Sequence, residues 1–332
     1  MQGKQTRKAS YTERFRELGL VLFIILVSIV VQMRNREFLT LANINNILTN
    51  TAILGILSVG MMMVLLTGGI DLSIGAVIAL SGMVTALTVR ADMTVPVPLL
   101  LLEGIAVGAA SGFVTGILVA RFSMLPIIAS LGLMNVIRGL TYIVSKRQWV
   151  SAYQMSDGYK ALATGKFLGV NNLIVIALLI YAAFYYFINF TKTGRRIYAV
   201  GSNPEAAEVI GLPKKRIITL VYVLMGALAG LAGVLWVAKF ASAQGDTAAG
   251  YEMNVIASCV LGGVSVSGGR GTVSGLILGV VLFGILANAL PLINVSPFWQ
   301  QAIQGFVILA AIITNVLIKR NNDRLTLRKR AI

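Results

Sequence analysis

The sequence predicts an all-α polytopic integral membrane protein, and three observations predict it. Of 332 residues, 57% are hydrophobic and only 12% are charged, with a mean hydropathy of +0.84. Soluble domains carry about 25% charged residues, so the polar coat of a water-borne globule is missing. Apolar runs at 18–33, 47–66 and 168–188 approach the ~20 residues needed to cross ~30 Å of hydrocarbon. The net charge of +16 is concentrated between and beyond these runs, as expected of loops retained on the cytoplasmic side.

Taken in order, the chain reads as one transmembrane domain, 1–332, of about ten spans. A basic N-terminal segment, 1–17, leads into the first span, 18–33, which lacks a small-residue cleavage site and is expected to be retained. The second span, 47–66, meets a glycine pair in LTGGIDLSIG, Leu66–Gly75, before the third, 72–89. The fourth, 99–120, carries Glu103, and the fifth, 125–144, carries Asn135 and Arg138 one turn apart on one face. A polar loop, Ser145–Phe167, holds Trp149, Tyr153 and Tyr159, which suits either an interfacial aromatic belt or a docking surface. The sixth span, 168–190, enters a basic loop, 191–216, and the seventh follows at 217–238. The eighth, 252–266, contains Glu252 and Cys259. It runs into a second glycine-rich interruption, VLGGVSVSGGRG, Val260–Gly271, ahead of the ninth span, 273–290, with Asn288. The tenth, 298–318, carries Gln300, Gln304 and Asn315, and a basic tail closes the chain at 319–332. An even count puts both termini on one side, and the denser basic clusters make that side cytoplasmic.

The two interruptions echo one another, each an apolar run, a glycine pair and a second apolar run. Gly68, Gly69, Asp71 and Ser73 mark the first, and Gly262, Gly263, Gly268 and Gly269 the second. Repeats of this kind occur in transporters whose broken helices line a pathway, although single glycines also serve helix packing. Asp71 is read as a cap for the helix after the break in preference to a solute ligand. Arg138 is either a snorkelling residue or part of a path. Asn135, Arg138, Asn288 and Gln304 are the candidate path residues, with interhelical glue as the alternative for the amides.

Most catalytic chemistry is excluded. There is no histidine, the usual general base and commonest metal ligand. One cysteine and scattered carboxylates make no zinc site. No P-loop occurs, so no nucleotide, metal or other cofactor is expected on this chain. No basic surface interleaved with aromatics points to nucleic acid. Cys259 has no intrachain partner and reads as packing.

The loop 191–216 is the most informative stretch. Gly194, Arg195 and Arg196 precede GSNPEAAEVIGLPKK, Gly201–Lys215. Here Asn203 is the N-cap, Pro204 the first helical residue, Gly211 a left-handed stop, and Pro213 a bar to resumption. Glu205 suits the positive end of the helix dipole. Glu208 adds a second acid, which disfavours a seat on anionic headgroups. Ala206, Ala207, Val209 and Ile210 offer an apolar surface sized for a partner's groove.

Together GGIDLSIG (Gly68–Gly75), TGRRIYAVGSNPEAAEVIGL (Thr193–Leu212) and VLGGVSVSGGRG resemble the motifs of permease subunits of bacterial ribose-type monosaccharide ABC importers, in order and along essentially the whole chain. Ser202 stands where many such permeases have glycine, and Val264 where a small hydroxyl residue is frequent. The resemblance implies a non-enzymatic membrane subunit that imports a monosaccharide or related hydroxylated solute by alternating access. Its implied partners are a cytosolic ATP-binding subunit, a second permease copy or homologue, a periplasmic solute-binding protein and the inner-membrane lipid. It also implies that residues 203–211 are the helix that couples to the ATPase. A stand-alone secondary transporter or channel is the alternative reading.

Overall fold

The computed structural model describes residues 2–296, 298–303, 305, 306, 309 and 313, with side chains from Arg16 onward. Its helices are α1 (Gln2–Arg34), α2 (Leu41–Leu66), α3 (Ile74–Ala91), α4 (Val97–Ala120), α5 (Pro126–Ser145), α6 (Asp157–Thr164), α7 (Asn172–Phe190), α8 (Lys192–Ser202), α9 (Pro204–Val209), α10 (Lys214–Phe240), α11 (Tyr251–Leu261) and α12 (Val273–Leu292). Eight of these are long and apolar enough to cross a membrane: α1 to α5, α7, α10 and α12.

Of the ten expected spans, one differs and one lies largely outside the described residues. Residues 252–266 form only the 11-residue α11, about 16 Å long and half a hydrocarbon core. The glycine pair stops this helix early, and the stretch before it, 241–250, is non-helical, a two-residue strand followed by turns, with Ala241, Ala248 and Gly250 at positive φ. The tenth expected span, 298–318, lies largely outside the described residues, as do Gln304 and the tail 319–332.

The chain divides into two compact units, one of Met1–Ile47, Ala257–Ser265 and Gly271–Ile332, the other of Leu48–Ile256 and Val266–Arg270. In the first, α1 packs on α12 around Val31, Phe38, Ile47, Ile285 and Ala289. Polar ties reinforce that contact. Asn35 Nδ2 donates to the Leu292 carbonyl at 3.0 Å, and Asn43 and Asn288 exchange side-chain hydrogen bonds of 3.0 and 3.1 Å.

In the second unit the 27-residue α10 spans about 40 Å and packs most extensively on α4. Four glycines of α4, Gly104, Gly108, Gly112 and Gly116, recur every fourth residue and face Tyr222, Gly226 and Gly230 of α10. A Cβ on Gly108 would overlap the Gly226 carbonyl, and one on Gly226 the Gly108 carbonyl. Without a hydrophobic force between helices in lipid, such backbone contact supplies the packing.

At the C-terminal end of α10 the polar segment after α5 folds into a cap. Strand β1 (Val150–Ser151) pairs antiparallel with β4 (Ser242–Ala243), and β2 (Lys166–Phe167) with β3 (Val170–Asn171). Of the three aromatics there, Trp149 and Tyr153 are exposed. Tyr159 is fully buried, with its hydroxyl 3.0 Å from Thr85 Oγ1, and burial raises its pKa.

Candidate functional site

The N-terminal end of α10 carries the helix anticipated from the sequence, within a larger structure. Residues 191–216 hold two helices rather than one. Thr191 caps α8 by accepting from the Gly194 N–H at 3.0 Å. At Gly194 the turn from α7 is so tight that a Cβ would overlap the Ile188 carbonyl. Arg195 and Arg196 are exposed on α8, with Arg195 Nη1 reaching the Phe190 carbonyl at 3.4 Å. Together with Lys192, Ala199 and Leu212 they line an open cleft of about 280 Å³.

Helix α9 follows. Asn203 Oδ1 accepts from the Ala206 N–H at 2.9 Å and Pro204 takes the first position. Gly211, at φ +74°, ends the helix in a Schellman turn, donating to Glu208 at 2.9 Å while Leu212 donates to Ala207 at 3.0 Å. Pro213 then precedes the new helix α10, and Lys214 Nζ lies 3.6 Å from a Glu208 carboxylate oxygen. The apolar surface of α9 differs from the expected one. Ala207 is 2% exposed and faces inward, and its carbonyl accepts the Leu212 N–H of the Schellman turn, whereas Val209 and Ile210 are 87% and 71% exposed. Glu205, Ala206 and Glu208 are exposed beside them.

The two glycine interruptions end their helices with the same turn. Gly68, at φ +79°, donates to Leu65 at 2.8 Å and Gly69 to Val64 at 3.0 Å; Gly263, at φ +80°, donates to Val260 at 2.8 Å and Val264 to Cys259 at 2.9 Å. The left-handed residue is therefore the first glycine of the first pair and the second of the second. Their surroundings differ. After the first turn Asp71 is buried and accepts from the Ser73 N–H at 2.8 Å and the Ser73 hydroxyl at 2.6 Å. Ser73 itself is the N-cap of α3, so Asp71 supports the cap from two residues upstream and does not itself bind the first-turn donors of α3. The second turn is held from α1. Arg16 donates to the Gly263 and Gly262 carbonyls at 3.0 and 3.2 Å, while Glu17 accepts from Thr272 and Ser274 hydroxyls at 2.7 and 2.6 Å. A cation thus meets the negative end of α11 and an anion the positive end of α12. Arg16 and Glu17 sit side by side in the segment read from sequence as a basic N-terminus, and only the meeting of α1 with α12 reveals their use.

The first interruption also meets α8. The carbonyl of Leu66, the last residue of α2, accepts from the Gly269 N–H at 2.9 Å. Gly201 lies against the same carbonyl, Gly268 at φ +87° lies against the Gly201 carbonyl, and Ser202 Oγ approaches the Gly269 carbonyl at 3.4 Å.

The path candidates are scattered. Arg138 Nη1 donates to the Gly245 and Thr247 carbonyls at 2.9 and 2.8 Å, clamping the non-helical 241–250 stretch. Asn135 is exposed and its amide turns back to the Leu131 carbonyl at 3.1 Å. Asn288 is committed to Asn43. Beyond Arg138, the end of α5 lines an open cleft of about 780 Å³ with Gly139, Tyr142, Ile143, Lys146 and Arg147. Among the described residues no three His, Cys, Asp or Glu side chains cluster to hold a metal.

Residues 43–312 match the family described as branched-chain amino acid transport system / permease component. The ribose import permease protein RbsC of Escherichia coli (strain K12) is 37% identical over 299 residues, covering 90% of this chain and 92% of that protein. RbsC of Bacillus subtilis (strain 168) is 38% identical over 89% of this chain and 90% of its own length. The L-arabinose ABC transporter permease protein AraH of Azospirillum brasilense is 35% identical over 92% and 89%. No solved structure matches the chain. With eight apolar helices long enough to cross a membrane and a family match over most of its length, the chain belongs to this family of membrane permease components, a transport subunit and not an enzyme.

Proposed function

We propose that this permease imports a monosaccharide or a related small hydroxylated solute by alternating access. A separate cytosolic ATP-binding subunit docks on α9, and a periplasmic solute-binding protein delivers the solute. A second copy of the permease, or a homologue, completes the pathway in the bacterial plasma membrane, with both termini cytoplasmic. The chain needs no cofactor of its own, since nucleotide chemistry resides on the partner.

The observation that carries this reading is α9. It is capped at both ends, presents Val209 and Ile210 to solvent, and lies between basic clusters. A helix this short has no stability of its own, so its double capping and its exposed apolar pair fit a preformed knob for a protein groove. The sugar class rests on the relatives, whose names specify ribose and L-arabinose.

The direct test is Val209→Arg, which places charge on the exposed face and leaves the buried Ala207 untouched. The expected outcome is a folded membrane protein that loses the co-purifying ATPase and loses uptake of ribose, L-arabinose and galactose probes by at least tenfold. Retained uptake that resists ATP depletion and collapses with an uncoupler would instead establish a stand-alone carrier, and would make the buried carboxylate of Asp71 its candidate coupling charge.

A further inference from the structure

We infer that Gly201 is the positioning residue through which movement of α8 and α9 reaches the first helix break, by direct backbone contact; this rests on the importer reading above. Three chain segments meet at this point, all in one compact unit: the end of α2, the end of α8 and residues 266–270. The Leu66 carbonyl is one of the orphan acceptors at the C-terminus of α2. Its partner is the Gly269 N–H at 2.9 Å, a donor from a distant part of the chain. Gly201 closes the contact from the other side, where a Cβ would overlap the Leu66 oxygen and lie 2.9 Å from the Gly269 nitrogen. Gly268 completes it: its own Cβ would come 2.7 Å from the Gly201 carbonyl and 3.2 Å from the Gly68 nitrogen.

The physical consequence follows from what is absent between these segments. Side chains can change rotamer and absorb a small displacement, but here glycine backbones touch a carbonyl directly. Close-packed interiors transmit strain when nothing can yield. Displacing α9 moves α8, since only Asn203 separates them. Gly201 then carries the end of α2, and with it the Gly68 turn and the start of α3. The same contact shows why Gly201 is glycine: it sits in a regular helix, so the demand is for close approach and not for a positive φ.

Two measurements test this. The first is Gly201→Ala in the full chain, assembled with its ATPase and binding protein in proteoliposomes, with Gly19→Ala as control on a helix face that meets nothing within 4 Å. The expected result is retained ATPase co-purification with sugar carried per ATP hydrolysed reduced tenfold or more, and no change in the control. An unchanged ratio in a well-folded Gly201→Ala protein overturns the proposal. The second does not depend on that variant folding. Spin labels on Ser202→Cys and Arg270→Cys report the separation across the joint in nucleotide-free and ATP-bound states. The joint predicts a constant distance, and a change beyond about 2 Å, the scale of a helix shift, overturns it. Should the unmodified chain assemble with no ATPase, the importer reading fails instead, and the constant spin-label distance then stands only as a description of a rigid contact.

Discussion

The two helix breaks share a turn and differ in what holds it. Each ends its helix with a left-handed glycine and the same pair of Schellman hydrogen bonds. The first is supported locally by Asp71 on Ser73 two residues away, and from a distant part of the chain by a backbone donor, the Gly269 N–H on the Leu66 carbonyl. The second is held by charges from a helix 246 to 257 residues distant in sequence, Arg16 on its closing carbonyls and Glu17 on its opening hydroxyls. The comparison teaches that one turn chemistry supports two mechanical roles. Backbone contacts and a neighbouring carboxylate hold the first break, whereas a distant pair of opposite charges clamps the second at both dipole ends.

The comparison breaks most sharply at the two left-handed glycines. An alanine in that conformation costs about 1–2 kcal/mol of backbone strain. Gly68→Ala meets open space and is expected to cost only that, while Gly263→Ala also pushes the Arg16 guanidinium off its two carbonyls and is expected to cost about 1–3 kcal/mol more. Thermal unfolding in detergent would show the two variants apart by several degrees; equal losses would mean that the clamp does not constrain the second break.

Arg16→Ala comes next. It leaves the Gly262 and Gly263 carbonyls without their charged donor, at about 1–3 kcal/mol. Combined with Gly263→Ala the loss is expected to fall short of the sum, because the collision disappears with the guanidinium. A strictly additive double variant would separate the two residues energetically.

Glu17→Gln keeps an acceptor oxygen and loses the charge, so a loss near 1 kcal/mol is expected from weaker hydrogen bonds to Thr272 and Ser274. Asp71→Asn is the mildest. Its remaining oxygen still accepts from Ser73, and stability should change by less than about 1 kcal/mol. A large loss of transport with unchanged stability would show that the Asp71 charge matters beyond the turn.

Much of this was legible along the chain because the signals are local. Asn203, Pro204 and Gly211 specify α9 through capping chemistry that involves only neighbouring residues. The eight apolar runs at 18–33, 47–66, 72–89, 99–120, 125–144, 168–190, 217–238 and 273–290 became helices because sustained hydrophobicity over roughly twenty residues leaves the backbone no other way to satisfy itself in lipid. The run at 252–266 misled because hydropathy does not register a helix stop: Gly262 and Gly263 are apolar enough to extend a window and flexible enough to end a helix. Ala207 misled for a related reason, since one turn of helix has no periodicity long enough to say which side faces in.

The sequence by itself determined the class of protein, the course of most of its long helices and the existence of the short, doubly capped helix α9. Each follows from composition or from hydrogen bonds that close within a few residues. Only the tertiary structure decided that Asn288 pairs with Asn43, that Arg138 clamps the carbonyls of Gly245 and Thr247, that Arg16 and Glu17 brace the second break, and that Gly201 rests on Leu66. Those partners all lie more than a hundred residues apart, and a contact between distant segments is set by how whole helices pack, which no local pattern encodes.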